Sequence, residues 1–277
     1  MRIAQNSPIL VVGLGPVVLD FYEQLMADGF EVDVMAYPGT IDRKYDLIFA
    51  FTKDNLEEKV KWISSVESLV ADDGLLCINI DGISLDEIQQ SLNSEVIGVN
   101  FCYPVCASPF MEIITTARNK PQDIDALYDW AVGRWNKDPY IVKKGISIRA
   151  YMVAAMAREA FYLVEQGYAS VESIDRACRN DAGYYLPFTG NYLYMDLMGT
   201  VAYAMVMKEL NSELSNSNSV PDWFSDKIEK GQGGMKDGLG LYAYNEGDHV
   251  KWSAIVREYS KEINELITKY KKEYAEG

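Results

Sequence analysis

The sequence predicts an α/β protein in two parts. A doubly wound, mostly parallel sheet with helices on both faces covers residues 1–143, and an all-α domain covers residues 144–277. Three observations predict it. A glycine-bearing turn joins an apolar strand to an amphipathic helix near the N-terminus. Short apolar runs then alternate with helical-period segments as far as Val142. After Lys143 the alternation stops and long helical stretches take over.

The elements follow in order. Ile9–Val12 is the first strand, and the next helix runs to about Asp28, where Gly29 ends it. Glu31–Ala36 alternates as strand two, and Tyr37–Tyr45, with Pro38 and Gly39, is a short polar connection. Leu47–Phe51 is fully apolar, the mark of a strand covered on both faces. Asn55–Val70 has helical spacing, and Gly74 punctuates before the strand Leu75–Ile80. Ser84–Ser91 reads as a short helix, Val96–Phe101 and Phe110–Thr115 as strands, Gln122–Trp135 as a helix and Tyr140–Val142 as a last strand.

In the second part, Ile146–Gln166 is helical up to Gly167. Val171–Arg179 is a helix with Ser170 as its N-cap and Glu172 in its first turn, where a negative charge suits the helix dipole. Leu193–Leu210 reads as one apolar helix and Asn211–Val220 as a polar surface loop. Trp223–Lys230 is a short helix and His249–Tyr274 a long charged one.

Composition narrows the function. The chain has 277 residues, 48% hydrophobic and 24% charged, as in an ordinary globular protein with room for two cores. Its formal net charge of −15 is offset by no basic block except Lys269–Lys272, which excludes nucleic acid and anionic membranes as expected partners. The same charge weighs against a highly anionic substrate unless a local basic pocket overrules it. No run is long and apolar enough to span a bilayer. Met1–Pro8 has one Arg and no apolar core of a signal peptide. Four cysteines make no disulfide framework, so a reducing, cytoplasmic setting is expected. A single histidine, His249, rules out a histidine-based metal site by count, and no metal site is expected.

The turn Gly13-Leu14-Gly15-Pro16-Val17 has the order required to cradle a dinucleotide pyrophosphate. One glycine tightens the turn and another lets the backbone approach the phosphates. Val18 holds the third glycine position of that fingerprint, and the two glycines are also compatible with a structural turn that binds nothing. Cys102 and Cys106 read as buried thiols behaving as small hydrophobes.

Together with the segments Ala154–Gly167, Ala169–Asp175, Ala182–Phe188, Met195–Gly199 and Gly234–Tyr242, these residues resemble the 3-hydroxyacyl-CoA dehydrogenase family over nearly the whole chain. The resemblance implies a Rossmann-like NAD or NADP domain, a helical domain that supplies a homodimer interface, and oxidoreductase chemistry. It implies a closing glycine-rich turn and aromatic strand over Gly234–Tyr242. Asp54, Lys59 and Asn79 match cofactor-side positions. Asn100 stands where the family has its catalytic histidine, Glu112 matches the glutamate that orients it, and Asp81 replaces an active-site serine. Ala36 replaces the acid that holds the ribose hydroxyls, and Ser147–Arg149 lacks an expected asparagine. Arg43 and Lys44 are candidates for a 2′-phosphate or residues of a solvated turn. The family's lysine-rich CoA-binding arm has no room in Tyr37–Tyr45, so a CoA thioester is not the expected substrate.

The expected function is hydride transfer between NAD(P)(H) and a small hydroxy or oxo compound. Asn100 would polarise the substrate oxygen, with Tyr103, Asp81 or Glu112 moving the proton, since an asparagine takes up no proton at neutral pH. Glu112 is also compatible with a purely structural role. The alternatives are a non-redox enzyme on the same scaffold using Glu112 and Asp81, or an inactive binding subunit.

Overall fold

The computed structural model describes residues 6–37, 39 and 41–275. The N-terminal stretch Met1–Gln5 and Pro38 of the polar connection lie outside the described residues. The chain divides into two compact units between Ala150 and Tyr151.

The first unit is built on seven strands: β1 (Ile9–Gly13), β2 (Val32–Met35), β3 (Tyr45–Phe51), β4 (Val70–Ile78), β5 (Val96–Asn100), β6 (Phe110–Ile114) and β7 (Asp138–Val142). Their order across the sheet is β2-β1-β3-β4-β5-β6-β7. All neighbours are parallel except β5 and β6. Four helices accompany them: α1 (Pro16–Ala27), α2 (Leu56–Glu67), α3 (Leu85–Gln89) and α4 (Pro121–Trp135).

The apolar runs are continuous because both faces of the sheet are covered. Ile9 and Val11 of β1 enter a core with Phe21, Phe49, Phe101 and Trp135. Leu10 and Val12, pointing the other way, enter a second core with Ile48, Ile63, Ile78 and Ile88. Val18, the residue at the third glycine position, is buried in the first core. The helix–strand contact here is filled by a side chain.

Two local signals set helix starts. The Asn55 side chain accepts from Glu58 N (3.0 Å) ahead of α2, and that of Ser84 accepts from Glu87 N (3.3 Å) ahead of α3. Strand β4 begins earlier than Leu75, carrying the polar Ala71–Gly74 stretch past an irregularity in its pairing with β3. The loop 101–109 is pinned at both ends of its turn. Buried Asp20 of α1 accepts from the backbone of Val105 and Cys106, and Lys137 donates to the carbonyls of Val105 and Ser108.

The second unit contains α6 (Val171–Asn180), α7 (Ala182–Met198), α8 (Thr200–Leu210), α9 (Asp222–Glu229) and α10 (Asp248–Ala275), together with most of α5 (Ile148–Glu165). Ser170 caps α6 through Ser173 N at 3.1 Å. The single helix expected over Leu193–Leu210 is instead two, because Gly199 takes φ 100° and breaks the chain between α7 and α8. Helix α7 also starts earlier than the apolar pattern indicated, bending at Gly190 (φ 66°). Gly234–Tyr242 forms a 3-10 turn (Met235–Asp237) with two isolated bridges, where an aromatic strand was expected. Among the described residues no helix is long and apolar enough to cross a membrane.

Candidate active site

The chain leaves β1 on one side for β2 and returns to the other side for β3. The sheet order therefore reverses at the carboxyl end of β1, the place where open α/β sheets bind ligands. A cavity of about 850 Å³ lies along this edge. Its lining comes in sheet order: Ala36 and Tyr37 after β2, Gly13–Val18 after β1, Thr52 and Lys53 after β3, Asn79 and Asp81 after β4, and Asn100 at the end of β5. Arg149 lines it as well.

The glycine turn fits a pyrophosphate. A Cβ on Gly13 would lie 2.1 Å from Phe51 O of the adjoining strand, so only glycine permits this approach. Gly15 takes φ +123° with nothing within 4 Å of a Cβ, leaving open space in front of the backbone. No side chain caps α1 and its first turn carries no acid, and Gly13–Val18 at its start line the cavity, which suits anionic oxygens. Leu14 is exposed beside them.

Below the cavity floor sits a buried cluster. Lys59 is fully buried and donates to Asn79 O (2.9 Å) and Oδ1 (3.1 Å). Asn79 Nδ2 donates to Thr52 O (3.0 Å) and to Asp81 Oδ2 (3.0 Å), fixing the Asp81 carboxyl at the cavity wall. Burial pushes the Lys59 ammonium down to about 8, with Asp54 and Asp81 pulling the other way. Asp54 itself is exposed, accepts from Gly82 N (2.8 Å) and does not line the cavity.

Asn100 and Glu112 come together because they face each other in the register of β5 and β6. Asn100 Nδ2 lies 2.9 Å from Glu112 Oε2, 2.5 Å from Ile80 O and 3.1 Å from Ser147 Oγ. Its Oδ1 accepts from Ile80 N at 3.0 Å. Two amide hydrogens thus face three protein acceptors, and the carboxamide clasps the backbone of Ile80. Glu112 is fully buried and gathers further donors: Ser147 Oγ (2.6 Å), Tyr140 Oη (3.0 Å) and Arg149 N (2.9 Å). Burial and the neighbouring Glu112 carboxylate push the Tyr140 phenol well above its ordinary value. Ser147 Oγ also accepts from Ala150 N (3.0 Å), so Glu112 and Ser147 together cap the start of α5.

Tyr103 lies in the pinned loop, half-buried and away from the cavity lining. Arg43 is committed to Glu31 (2.6 Å) and Asp33 (3.1 Å), and Lys44 to Ser68 O (2.5 Å). Neither lines the cavity, in keeping with the reading of both as residues of a solvated turn. Cys106 is exposed and Cys102 half-buried, which corrects the reading of both as buried thiols: the loop that carries them turns Val105 and Ala107 inward instead. Among the described residues no cluster of three metal-ligating side chains occurs. Tyr140, Ser147 and Arg149 are the residues that sequence reasoning missed. The missing asparagine after Gly145 drew attention to an absence, whereas the polar residues actually present there were the signal.

Residues 35–145 match the model of the 3-hydroxyacyl-CoA dehydrogenase NAD-binding domain, and residues 148–244 that of its C-terminal domain. The chain is 25% identical over 203 residues to a 5-formyl-3-hydroxy-2-methylpyridine 4-carboxylate 5-dehydrogenase of Mesorhizobium japonicum. That alignment covers 72% of this chain and 65% of the relative. A fatty acid oxidation complex subunit alpha of a Shewanella strain (MR-7) is 25% identical over 215 residues, 76% of this chain but 29% of the relative. The chain therefore spans a little under two thirds of the first relative and under a third of the second. Among solved structures, an NAD+-dependent dismutase described as 5-formyl-3-hydroxy-2-methylpyridine 4-carboxylic acid 5-dehydrogenase superposes with a TM-score of 0.84 at 20% identity. It covers 95% of this chain and 99% of its own. The 3-hydroxyacyl-CoA dehydrogenase of Archaeoglobus fulgidus superposes at 0.61 with 22% identity, covering 95% and 98%. These superpositions establish a shared fold.

Proposed function

Because the chain belongs to the 3-hydroxyacyl-CoA dehydrogenase family, we propose that it is a divergent oxidoreductase. It transfers hydride between NAD(P)(H) and a small hydroxy or oxo compound that is not a CoA thioester. The observation that carries this reading is the cavity along the strand ends, which joins the uncapped glycine turn to Asp81 and Arg149 in one space. Gly13–Val18 would hold the pyrophosphate, with Asn79 and the buried Lys59 supporting the wall beside it. A bound nicotinamide supplies the hydride acceptor or donor.

This chain's own residues divide the remaining work. Asn100, with its amide hydrogens outnumbered by protein acceptors, is a positioning residue: it holds the ends of β4 and β5 together. Glu112 positions the start of α5 through Arg149 N and Ser147. Proton transfer falls to Asp81, the carboxyl that lines the cavity at the β4 end. In alcohol oxidation its carboxylate takes the hydroxyl proton as the hydride leaves carbon; in reduction it returns one.

The substrate size follows from the connection after β2. The described residues between Met35 and Tyr45 form no helix, which supports a substrate other than a CoA thioester. Homodimerisation through the helical unit is part of the proposal. Helices α5 to α9 bury no residue, while Met152, Leu197, Val201 and Met205 stand exposed. Four free cysteines favour a reducing, cytoplasmic setting.

The locked Asn100–Glu112 cluster favours a second reading, a binding protein without turnover. Titration of the full chain with NADH and NADPH, followed by nicotinamide fluorescence and calorimetry, separates the readings together with a screen of small hydroxy and oxo acids. Micromolar cofactor binding with turnover is expected. Binding without turnover on any compound selects the second reading, and binding of neither cofactor removes hydride transfer and leaves a non-redox enzyme or an inactive binding subunit.

A further inference from the structure

We propose that Arg149 selects the substrate: the cavity takes a small hydroxy or oxo acid, whose carboxylate is held by the Arg149 guanidinium beside Asp81. This rests on the oxidoreductase reading for the meaning of the site, and it adds the class of compound.

Position comes first. The lining follows the strand order, with the pyrophosphate turn at β1 and the proton-accepting Asp81 two strands further along. Arg149 is at the Asp81 end, its Nη1 3.8 Å from Asp81 Oδ1. The other cations lining the cavity, Lys53 and Lys61, come from the end of β3 and from α2. Arg149 is the cation paired with Asp81, so a substrate whose hydroxyl meets Asp81 has that guanidinium beside it.

The arginine is also held in place. Its backbone N–H is bonded to buried Glu112 (2.9 Å), and Ser147 caps the next residue (3.0 Å), so the first turn of α5 is fixed by side chains inside the protein. A functional group carried on such a rigid start reaches its target with little loss of freedom. The guanidinium itself is under-used. Among the described residues its one ion pair is longer than a hydrogen bond, and both side chains are about two-fifths exposed, 40% and 41%. A guanidinium has five N–H donors in a planar fork, and a planar carboxylate is the group that takes two of them at once.

Charge gives the last argument. With a formal net charge of −15 the protein repels anions at long range. An acid substrate thus requires a cation inside the site, where nearby charge acts over a few ångströms with little screening. Arg149 answers the requirement that the whole-chain charge imposes.

The test is calorimetry on the full chain, with and without NADH, using acetoacetate and benzoylformate as probes, each against its primary amide. The acids are expected to bind at least about tenfold more tightly than the amides, the difference one charge-assisted pair makes. Arg149→Met should abolish the preference and Arg149→Lys should keep part of it, with circular dichroism confirming the fold of both. Equal binding of acid and amide, failure of both acids to bind, or a preference that survives Arg149→Met overturns the proposal. Acid preference without NADH binding keeps Arg149 and removes the hydride-transfer reading. NADH binding without acid preference does the reverse.

Discussion

Lys59 shows what a single residue contributes. Its stem crosses the second core and its ammonium ends against Asn79, fully buried. Burial lowers its pKa from 10.5 to about 8, whereas in the unfolded chain it titrates near its ordinary value. Between these values the unfolded chain binds more protons than the folded one, so stability rises with pH across that window. Above about pH 10 the Tyr45 phenol, pushed up to about 12 by burial and its bond to Asp33, works in the opposite direction. In urea denaturation Lys59 is therefore expected to contribute a gain of about 1–3 kcal/mol between roughly pH 8 and pH 10, opposed from about pH 9 by the Cys77 thiol, which burial pushes up. Lys59→Met should flatten it, and an equal gain in the variant would assign the effect to other groups. The sequence marked Lys59 and Asn79 as cofactor-side positions; Asn79 lines the cavity, whereas Lys59 lies buried behind it. Arg149, Ser147 and Tyr140 were not legible, because their meaning depends on α5 starting where β6 and β7 end, a tertiary fact that no local spacing encodes.

Among elements, the β1–α1 turn separates stability from binding. Gly13→Ala puts a methyl group 2.1 Å from a backbone oxygen of β3, a clash that no flexible side chain can relieve. It is expected to destabilise the first unit by several kcal/mol, lowering the midpoint of thermal unfolding. Gly15→Ala meets nothing, so its cost is the backbone conformation alone (φ 123°, ψ 174°), about 1–3 kcal/mol. Its methyl group enters the space in front of α1, and NADH affinity should fall at least about tenfold while most of the fold persists. Equal effects of the two variants on unfolding would show that the turn is purely structural. The strands of the first unit were readable because both faces are apolar. Helix α7 was less so: Gly183, Pro187 and Gly190 lie inside it, and its bend at Gly190 accommodates residues that usually end a helix.

For the whole molecule the contrast between the two units is decisive. The sheet unit buries its central strands on both faces, whereas α5 to α9 bury no residue. Val201 (72% exposed) and Met205 (67%) sit one helical turn apart on α8, on a face that water alone would leave costly. Light scattering of the purified chain is expected to give twice the chain mass. Val201→Glu with Met205→Glu should shift it toward one chain. A wild-type mass of one chain would remove the homodimer from the proposal. The net charge of −15 was readable at once, and it set the terms for the acid-binding arginine.

The direct pairing of Asn100 with Glu112 across β5 and β6 has one more consequence. Their contact is metered by the ladder itself, because β6 is locked between β5 and β7 and alternates its side chains between two cores. A slip of β6 by one residue would turn Glu112 to the opposite face of the sheet, away from Ser147, Tyr140 and the start of α5. Met111 and Ile113, buried in the first core, thus act as a gauge block for a carboxylate that neither of them touches on its own face.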